Sequence, residues 1–287
     1  MKAYSRTYQV NGIDLHVIEK GHKGQPVIIF LHGFPEFWYG WQKQMEYFAE
    51  KGFHVIVPDQ RGYNMSSKPQ SISSYRITTL AEDILQLIHY TGREKVYLVG
   101  HDWGGAVAWT LAYLHPELLN KVIILNMPHP RVFIKTVRTD MIQMIKSWYI
   151  GFFQLPVAEK FLSMNQYRMI QNSLLHTSLP GTFSKADLQQ YRQAWQQPEA
   201  LHSMINWYRA AMHYKNPFSS GNQQVKVPLL LIWGEKDKFL QPKMAQKSLR
   251  YCQNGRLHLI KDATHWLHHE KSSEVNKLIY QFIQDQN

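Results

Sequence analysis

Lys95 to Tyr113 reads KVYLVGHDWGGAVAWTLAY, and this stretch decides the fold. Val96, Tyr97, Leu98 and Val99 form a short apolar run, the pattern of a strand covered on both faces. Gly100, Gly104 and Gly105 bracket His101-Asp102-Trp103. Ala106 to Ala112 continues as a helix with small residues where it should lie on a sheet. Strand, sharp glycine-rich turn and helix together make a nucleophile elbow, with aspartate at its tip where serine commonly stands. The plainer alternative is a strand-to-helix turn capped by an aspartate. The rest of the chain decides between them.

Outward from the elbow, apolar runs and helical spacings alternate. Tyr4–Val10 and Ile13–Glu19 alternate around Asn11-Gly12, a hairpin signal. Val27–Leu31, His54–Pro58, Val122–Leu125, Pro228–Trp233 and Arg256–Ile260 read as buried strands. Trp38–Lys51, Tyr75–Thr91, Gln241–Tyr251 and Ser272–Gln286 read as helices. Such alternation predicts an α/β fold: a mostly parallel central sheet, antiparallel at its start, with helices on both faces. From Pro128 to about Pro228 the strand rhythm stops. Helical spacing runs over Arg131–Trp148, Ala158–Leu162, Gln166–His176, Lys185–Trp195 and Pro198–Met212. A structureless loop of that length is not credible inside a compact domain. The expected organisation is a core of residues 1–128 and 218–287 with a helical cap, 129–217, inserted over the site.

Asp102, Asp237 and His265 occur in the order nucleophile, acid, histidine, the order of α/β-hydrolase triads. Each follows a predicted strand, so all three should meet at the strands' carboxyl edge. His268 and His269 lie near His265, but no HExxH arrangement or carboxylate at ligand spacing accompanies them. They read as exposed residues at the start of the last helix, and no metal is expected. Aspartate at the elbow selects the reaction. Attack on an acyl carbon would give a mixed anhydride. Attack on a saturated carbon gives an alkyl ester of the enzyme. His265, oriented by Asp237, would then activate water against that ester's carbonyl carbon. The substrate needs an electrophilic sp3 carbon with an epoxide oxygen or a halide as leaving group. Backbone N–H groups of Phe34 and Trp103 should face the oxyanion of the second step, with Phe34-Pro35 as a cis peptide that aims the first. An opened epoxide leaves an alkoxide that needs a proton, which a tyrosine hydroxyl can give. The cap supplies Tyr149 and Tyr208, and the plainer reading of any single cap tyrosine is packing with its hydroxyl at the rim.

Bulk properties exclude other classes. The 287 residues are 44% hydrophobic and 18% charged, ordinary for a soluble globular protein. No apolar run is long enough to span a bilayer, and the first fifteen residues hold no apolar signal core. The expected location is cytoplasmic. The single Cys252 fits a reducing compartment. Net charge is +11, yet no two Lys or Arg residues are adjacent and no nucleic-acid motif is present. The densest basic stretch, Arg131, Lys135 and Arg138, reads as a solvated face.

HGFPE, DQRGYN, GHDWGG, WGEKD and ATHW together resemble the epoxide hydrolases of the α/β-hydrolase superfamily, over essentially the whole chain and most weakly between Phe161 and Leu201. The resemblance implies Asp102 as nucleophile, Asp237 and His265 as acid and base, and an oxyanion N–H at Phe34. It also implies that Tyr149, just before FFQLP, and Tyr208, in NWY, hold the epoxide oxygen. No cofactor is implied. Haloalkane dehalogenases are the alternative on the same machinery; they commonly carry Asn where Phe34 stands. Asn64 departs from the glycine many relatives of the fold carry there. Phe34, Pro35, Trp103, Trp148, Phe152, Phe239 and Trp266 are the expected lining of an aromatic cleft for hydrophobic or aryl epoxides. The oligomeric state is left open, a homodimer included.

Overall fold

The computed structural model describes residues 1–219 and 224–285. The chain opens on β1 (Ala3–Val10) and β2 (Ile13–Lys20), antiparallel with Val10 opposite Ile13. Asn11 and Gly12 turn the hairpin with φ of 45° and 75°, the paired positive values such a two-residue loop requires. There follow β3 (Val27–Leu31), α1 (Gln42–Glu50), β4 (His54–Pro58), α2 (Ile77–Tyr90), β5 (Val96–His101), α3 (Trp103–Leu114) and β6 (Leu119–Leu125). Six helices come next: α4 (Pro130–Thr139), α5 (Met141–Lys146), α6 (Trp148–Phe152), α7 (Ala158–Thr177), α8 (Lys185–Trp195) and α9 (Ala200–His213). The chain then returns to β7 (Leu229–Gly234), α10 (Lys243–Ser248), β8 (Gly255–Ile260), α11 (Leu267–Glu270) and α12 (Ser272–Gln284). Gln286, the expected end of the last helix, lies outside the described residues.

The sheet runs β1-β2-β4-β3-β5-β6-β7-β8. β2 pairs antiparallel with β4, and every pairing from β4 to β8 is parallel. Successive residues of a strand face opposite sides, so the apolar runs feed two cores. Val27, Ile29, Leu98, Val122 and Leu229 pack with α2 and α3 on one face. Ile28, Phe30, Val99, Ile123 and Leu230 pack with α1 and α12 on the other. Burial on both sides is why β3 and β7 are uninterrupted apolar runs and why β4 is apolar after His54. The expected α/β-hydrolase architecture is therefore present.

The differences are local. The helix expected over Arg131–Trp148 is three, because the Asp140 side chain accepts from the Gln143 N–H and starts a new helix there. The break expected between Leu162 and Gln166 lies inside α7, where Met164 to Tyr167 leave helical geometry. Asn64 has φ of 40° and donates to Asp59 Oδ2 at 2.7 Å; a left-handed backbone is what both glycine and asparagine tolerate there. Cys252 is buried, and burial pushes its thiol up to about 12.

Close approach of α3 to the sheet rests on Gly104. A Cβ there would stand 2.2 Å from the Leu31 carbonyl oxygen. Gly104→Ala should cost about 1–3 kcal/mol of stability or more, as overpacking against backbone does. Urea unfolding checks this, and an unchanged midpoint would contradict it.

Candidate active site

Five side chains meet at the carboxyl edge of the sheet. Phe34 follows β3, Asp102 follows β5, Asn126 follows β6, Asp237 follows β7 and His265 follows β8. Asp102 takes φ of 49° and ψ of −122° between strand and helix, a conformation costly for a residue with a Cβ and characteristic of functional turns. Gly33 passes so close that a Cβ on it would lie 2.3 Å from the Asp102 Cβ. That proximity puts the Phe34 N–H on Asp102 Oδ1 at 2.9 Å. Trp103 is the first residue of α3, so its N–H has no acceptor within the helix. The Phe34–Pro35 peptide is cis.

His265 Nδ1 lies 2.8 Å from Asp237 Oδ2, and its Nε2 lies 3.5 Å from Asp102 Oδ2. Asp237 Oδ1 accepts from the N–H groups of Phe239 and Leu240 at 2.7 and 2.9 Å. Asn126 Nδ2 donates to its Oδ2 at 2.5 Å. With the ring's Nδ1 hydrogen on Asp237, Nε2 is the nitrogen that faces Asp102. Asp237 is buried, while the Asp102 side chain keeps 15% exposure, which is the opening a reactant needs.

The charges follow from these contacts. Burial opposes ionisation of Asp102, but the His265 ring and the Phe34 N–H outweigh it and hold the carboxyl below its usual range. Burial likewise opposes Asp237, and His265, Asn126 and the Leu240 N–H win. Burial would favour neutral His265, yet the two carboxylates push it up to about 10. The resting site is an imidazolium between two carboxylates.

Tyr149 and Tyr208 stand opposite, on α6 and α9, with ring centroids 5.9 Å apart. Tyr208 packs edge-on against Phe34 and Trp103 at 5.4 and 5.1 Å. Burial first, then the charge of Asp102, push both hydroxyls above the usual tyrosine value. Both are therefore protonated donors.

The aromatic residues separate into groups. Phe34, Phe152 and Phe239 are partly buried, and Phe239 packs 5.8 Å from Tyr149 and 5.1 Å from His265. Trp266 is 1% exposed and lies behind His265, its Nε1 donating to Thr177 Oγ1. Trp148 departs from its expected place in the cleft. It is 59% exposed, because α6 turns Tyr149 inward and Trp148 outward.

His268 and His269 correct another expectation. His268 is buried, and both rings reach the buried Glu36 carboxylate, at 3.1 and 2.6 Å. Glu36 also accepts from the Tyr191 hydroxyl at 2.7 Å, and His101 Nδ1 lies 3.4 Å away. Glu36, His268 and His269 bring ligand-type atoms within 4.8 Å of one another. Each carboxylate oxygen already has two such neighbours, so the group is a hydrogen-bond hub. Nothing in the local sequence around His268 points to a partner more than two hundred residues upstream.

Residues 26–272 match the family described as alpha/beta hydrolase fold. AB hydrolase superfamily protein YfhM of Bacillus subtilis is 45% identical over 96% of both chains. Human Epoxide hydrolase 4 is 35% identical over 96% of this chain and 77% of its own. A crystal structure of an epoxide hydrolase from Bacillus megaterium superposes with a TM-score of 0.89 at 32% identity, covering 98% of this chain and 100% of that one. The chain belongs to the epoxide hydrolases of the α/β-hydrolase fold. Within that family setting, Asn126 is the residue whose part in the site the sequence did not disclose. Its Oδ1 accepts from the Gly234 N–H at 3.0 Å, which fixes the amide so that its NH2 meets Asp237.

Asp237→Asn removes the largest attraction that raises His265. The ring should then titrate about one to three pH units lower. Side-chain nitrogen NMR of the histidines measures this; an unmoved His265 would show that Asp237 does not set its charge.

Proposed function

We propose that the protein hydrolyses epoxides to vicinal diols through a covalent ester on Asp102, without a cofactor, under a helical cap formed by residues 129–217. The observation that carries this reading is the elbow carboxylate of Asp102 near two cap tyrosines, whose hydroxyls its charge and burial hold protonated. A nucleophile for saturated carbon and proton donors for an alkoxide are thereby near neighbours, Tyr208 against Phe34 and Trp103, and Tyr149 against Tyr208.

Oδ1 of Asp102 is held by the Phe34 N–H, so Oδ2 is the attacking oxygen. As Oδ2 bonds to a ring carbon, the carbon–oxygen bond of the epoxide breaks, and the alkoxide takes a proton from Tyr149 or Tyr208. Ester formation removes the charge of Asp102. His265 loses one of its two carboxylate neighbours, its proton affinity falls, and its proton replaces the one the tyrosine gave up. The neutral ring, still oriented by Asp237, takes a proton from water as that water attacks the ester carbonyl. Oδ1 becomes the oxyanion, facing the N–H groups of Phe34 and Trp103. Collapse expels the diol and restores the carboxylate and the imidazolium.

Phe34, Pro35, Trp103, Phe152 and Phe239 supply apolar walls suited to hydrophobic or aryl epoxides. One Bacillus megaterium enzyme structure carries its product (R)-3-[1]naphthyloxy-propane-1,2-diol, an aryl-substituted diol. That relative supports the substrate class proposed here.

A single turnover in heavy-oxygen water should place the label on Asp102 before it reaches any diol. Label entering the first diol directly would mean that water, not the carboxylate, opens the ring. His265→Gln should accumulate the ester, visible as a protein mass increase equal to the substrate. Tyr149→Phe with Tyr208→Phe should lower epoxide turnover on the order of 10²- to 10⁴-fold. Halide release from haloalkanes that survives both changes, with no diol from any epoxide, would favour a dehalogenase instead.

A further inference from the structure

The short helix α5 is inside out. Its polar Gln143 is buried: Nε2 donates to the Phe239 carbonyl at 2.7 Å, and Oε1 accepts from the Gln241 N–H at 3.1 Å. Its apolar side chains face water instead, with Met141 76%, Ile142 60%, Met144 51% and Ile145 68% exposed. Trp148 continues the surface on α6. Its ring contacts Phe152, and Phe152 contacts the half-exposed Phe161 of α7. Eleven of the eighteen large apolar side chains exposed among the described residues fall between Met141 and Leu175. Scattered exposed residues need no explanation, whereas a contiguous patch of this kind marks a binding surface.

The charges of the same segment select what covers it. Between residues 129 and 177 there are six Lys or Arg residues and two acids, Asp140 and Glu159. Both acids are taken by cations from elsewhere, Asp140 by Lys243 and Glu159 by Arg209. Lys135, Arg138, Lys160 and Arg168 are exposed, and none of them has an acidic partner among the described residues. A second copy docked by this face would bring like charges against like, since a two-fold interface sets the same patch on both sides. An anionic surface with an apolar interior satisfies both features.

From this we infer that the cap face built by α5, the exposed side of α6 and the first half of α7 docks on anionic phospholipid membranes. This rests on the function proposed above and deepens it. Tyr149 follows the patch directly in sequence, on the same short helix as Trp148, so docking sets the cap next to the phase in which hydrophobic epoxides concentrate. Lys135 and Arg138, exposed as a solvated face should be, stand on the helix that precedes this apolar one.

The test is flotation of the full-length protein with vesicles of phosphatidylcholine alone and of an equimolar mixture with phosphatidylglycerol. Binding should require phosphatidylglycerol and be reversed by high salt. The pairs Ile142→Asp with Ile145→Asp, and Lys135→Glu with Arg138→Glu, should each lower partitioning about tenfold or more. Diol formation from a small water-soluble epoxide should be unchanged in both pairs, which also reports that they fold. Absence of flotation, or equal flotation with both vesicle types, overturns the proposal. So does a dimer in solution that the Ile142 and Ile145 changes dissociate, because the occupant is then a second copy. Flotation as expected without diol from any epoxide would leave the docking face standing and sink the catalytic reading alone.

Discussion

One imidazole held between the buried carboxylate of Asp237 and the partly exposed one of Asp102 is the constraint that the rest of the structure serves. At an effective dielectric of about 20, an ion pair at such distances is worth roughly 4–6 kcal/mol. Taking each ion out of water costs several kcal/mol. The pairing therefore does little more than offset its own burial, and adds little to the fold. What it gives is poise. Asp237 is fixed by three donors and stays an anion through any chemistry at Asp102. Asp102 has one backbone donor, a more distant His265 and a partly exposed side chain. The asymmetry of donors between two residues of the same type is what separates the proposed nucleophile from the proposed orienting acid.

The helical insertion is tied to the loops that bear these groups. Trp195 Nε1 donates to the Pro35 carbonyl and Trp207 Nε1 to the Arg61 carbonyl, at 2.7 and 3.0 Å. Gln143 bonds the Phe239 carbonyl, and Lys146 Nζ bonds the Asp237 carbonyl at 2.8 Å. Each donor is a long side chain from an insertion helix, and each acceptor is the backbone of a loop leaving the strands' carboxyl ends. Such bonds fix where Tyr149 and Tyr208 stand relative to Asp102, the positioning on which the proposed reaction depends. They also explain why α5 has its polar residue inside: Gln143 is needed at the Phe239 loop, and the apolar residues on either side have no core to enter.

What was legible in the sequence had local causes. The strands β3 and β4 have the bounds their apolar runs indicate, and the elbow forms where its glycines indicate. The order Asp102, Asp237, His265 placed three loops at one sheet edge because parallel strands leave no other arrangement. The errors have non-local causes. Trp148 and Tyr149 are neighbours in sequence, and only packing of α6 shows which one faces inward. His268 looked exposed because its partner Glu36 lies far away in the chain. Asn126 directly follows a strand, but its hydrogen bond to Asp237 joins two loops with no sequence relation.

Glu36 shows how far such distant contacts reach into the site. Its backbone N–H donates to the Gly33 carbonyl at 2.9 Å and closes the turn that carries Phe34. Its carboxylate is anchored by Tyr191 from the insertion and by His268 and His269 from α11. Burial works against that charge, and the histidines and the bonds to them hold it well below the usual carboxylate range. A fixed anion at this point fixes the turn, and the turn fixes the Phe34 N–H against Asp102 Oδ1. His101, beside Glu36 and one residue before Asp102, gives Nε2 to the His265 carbonyl at 2.9 Å. The same hub thus touches the segment before the elbow, the loop of His265 and the loop that carries Phe34. Its place in the molecule is to keep three separately folded loops in one register, which no residue adjacent to Asp102 can do alone.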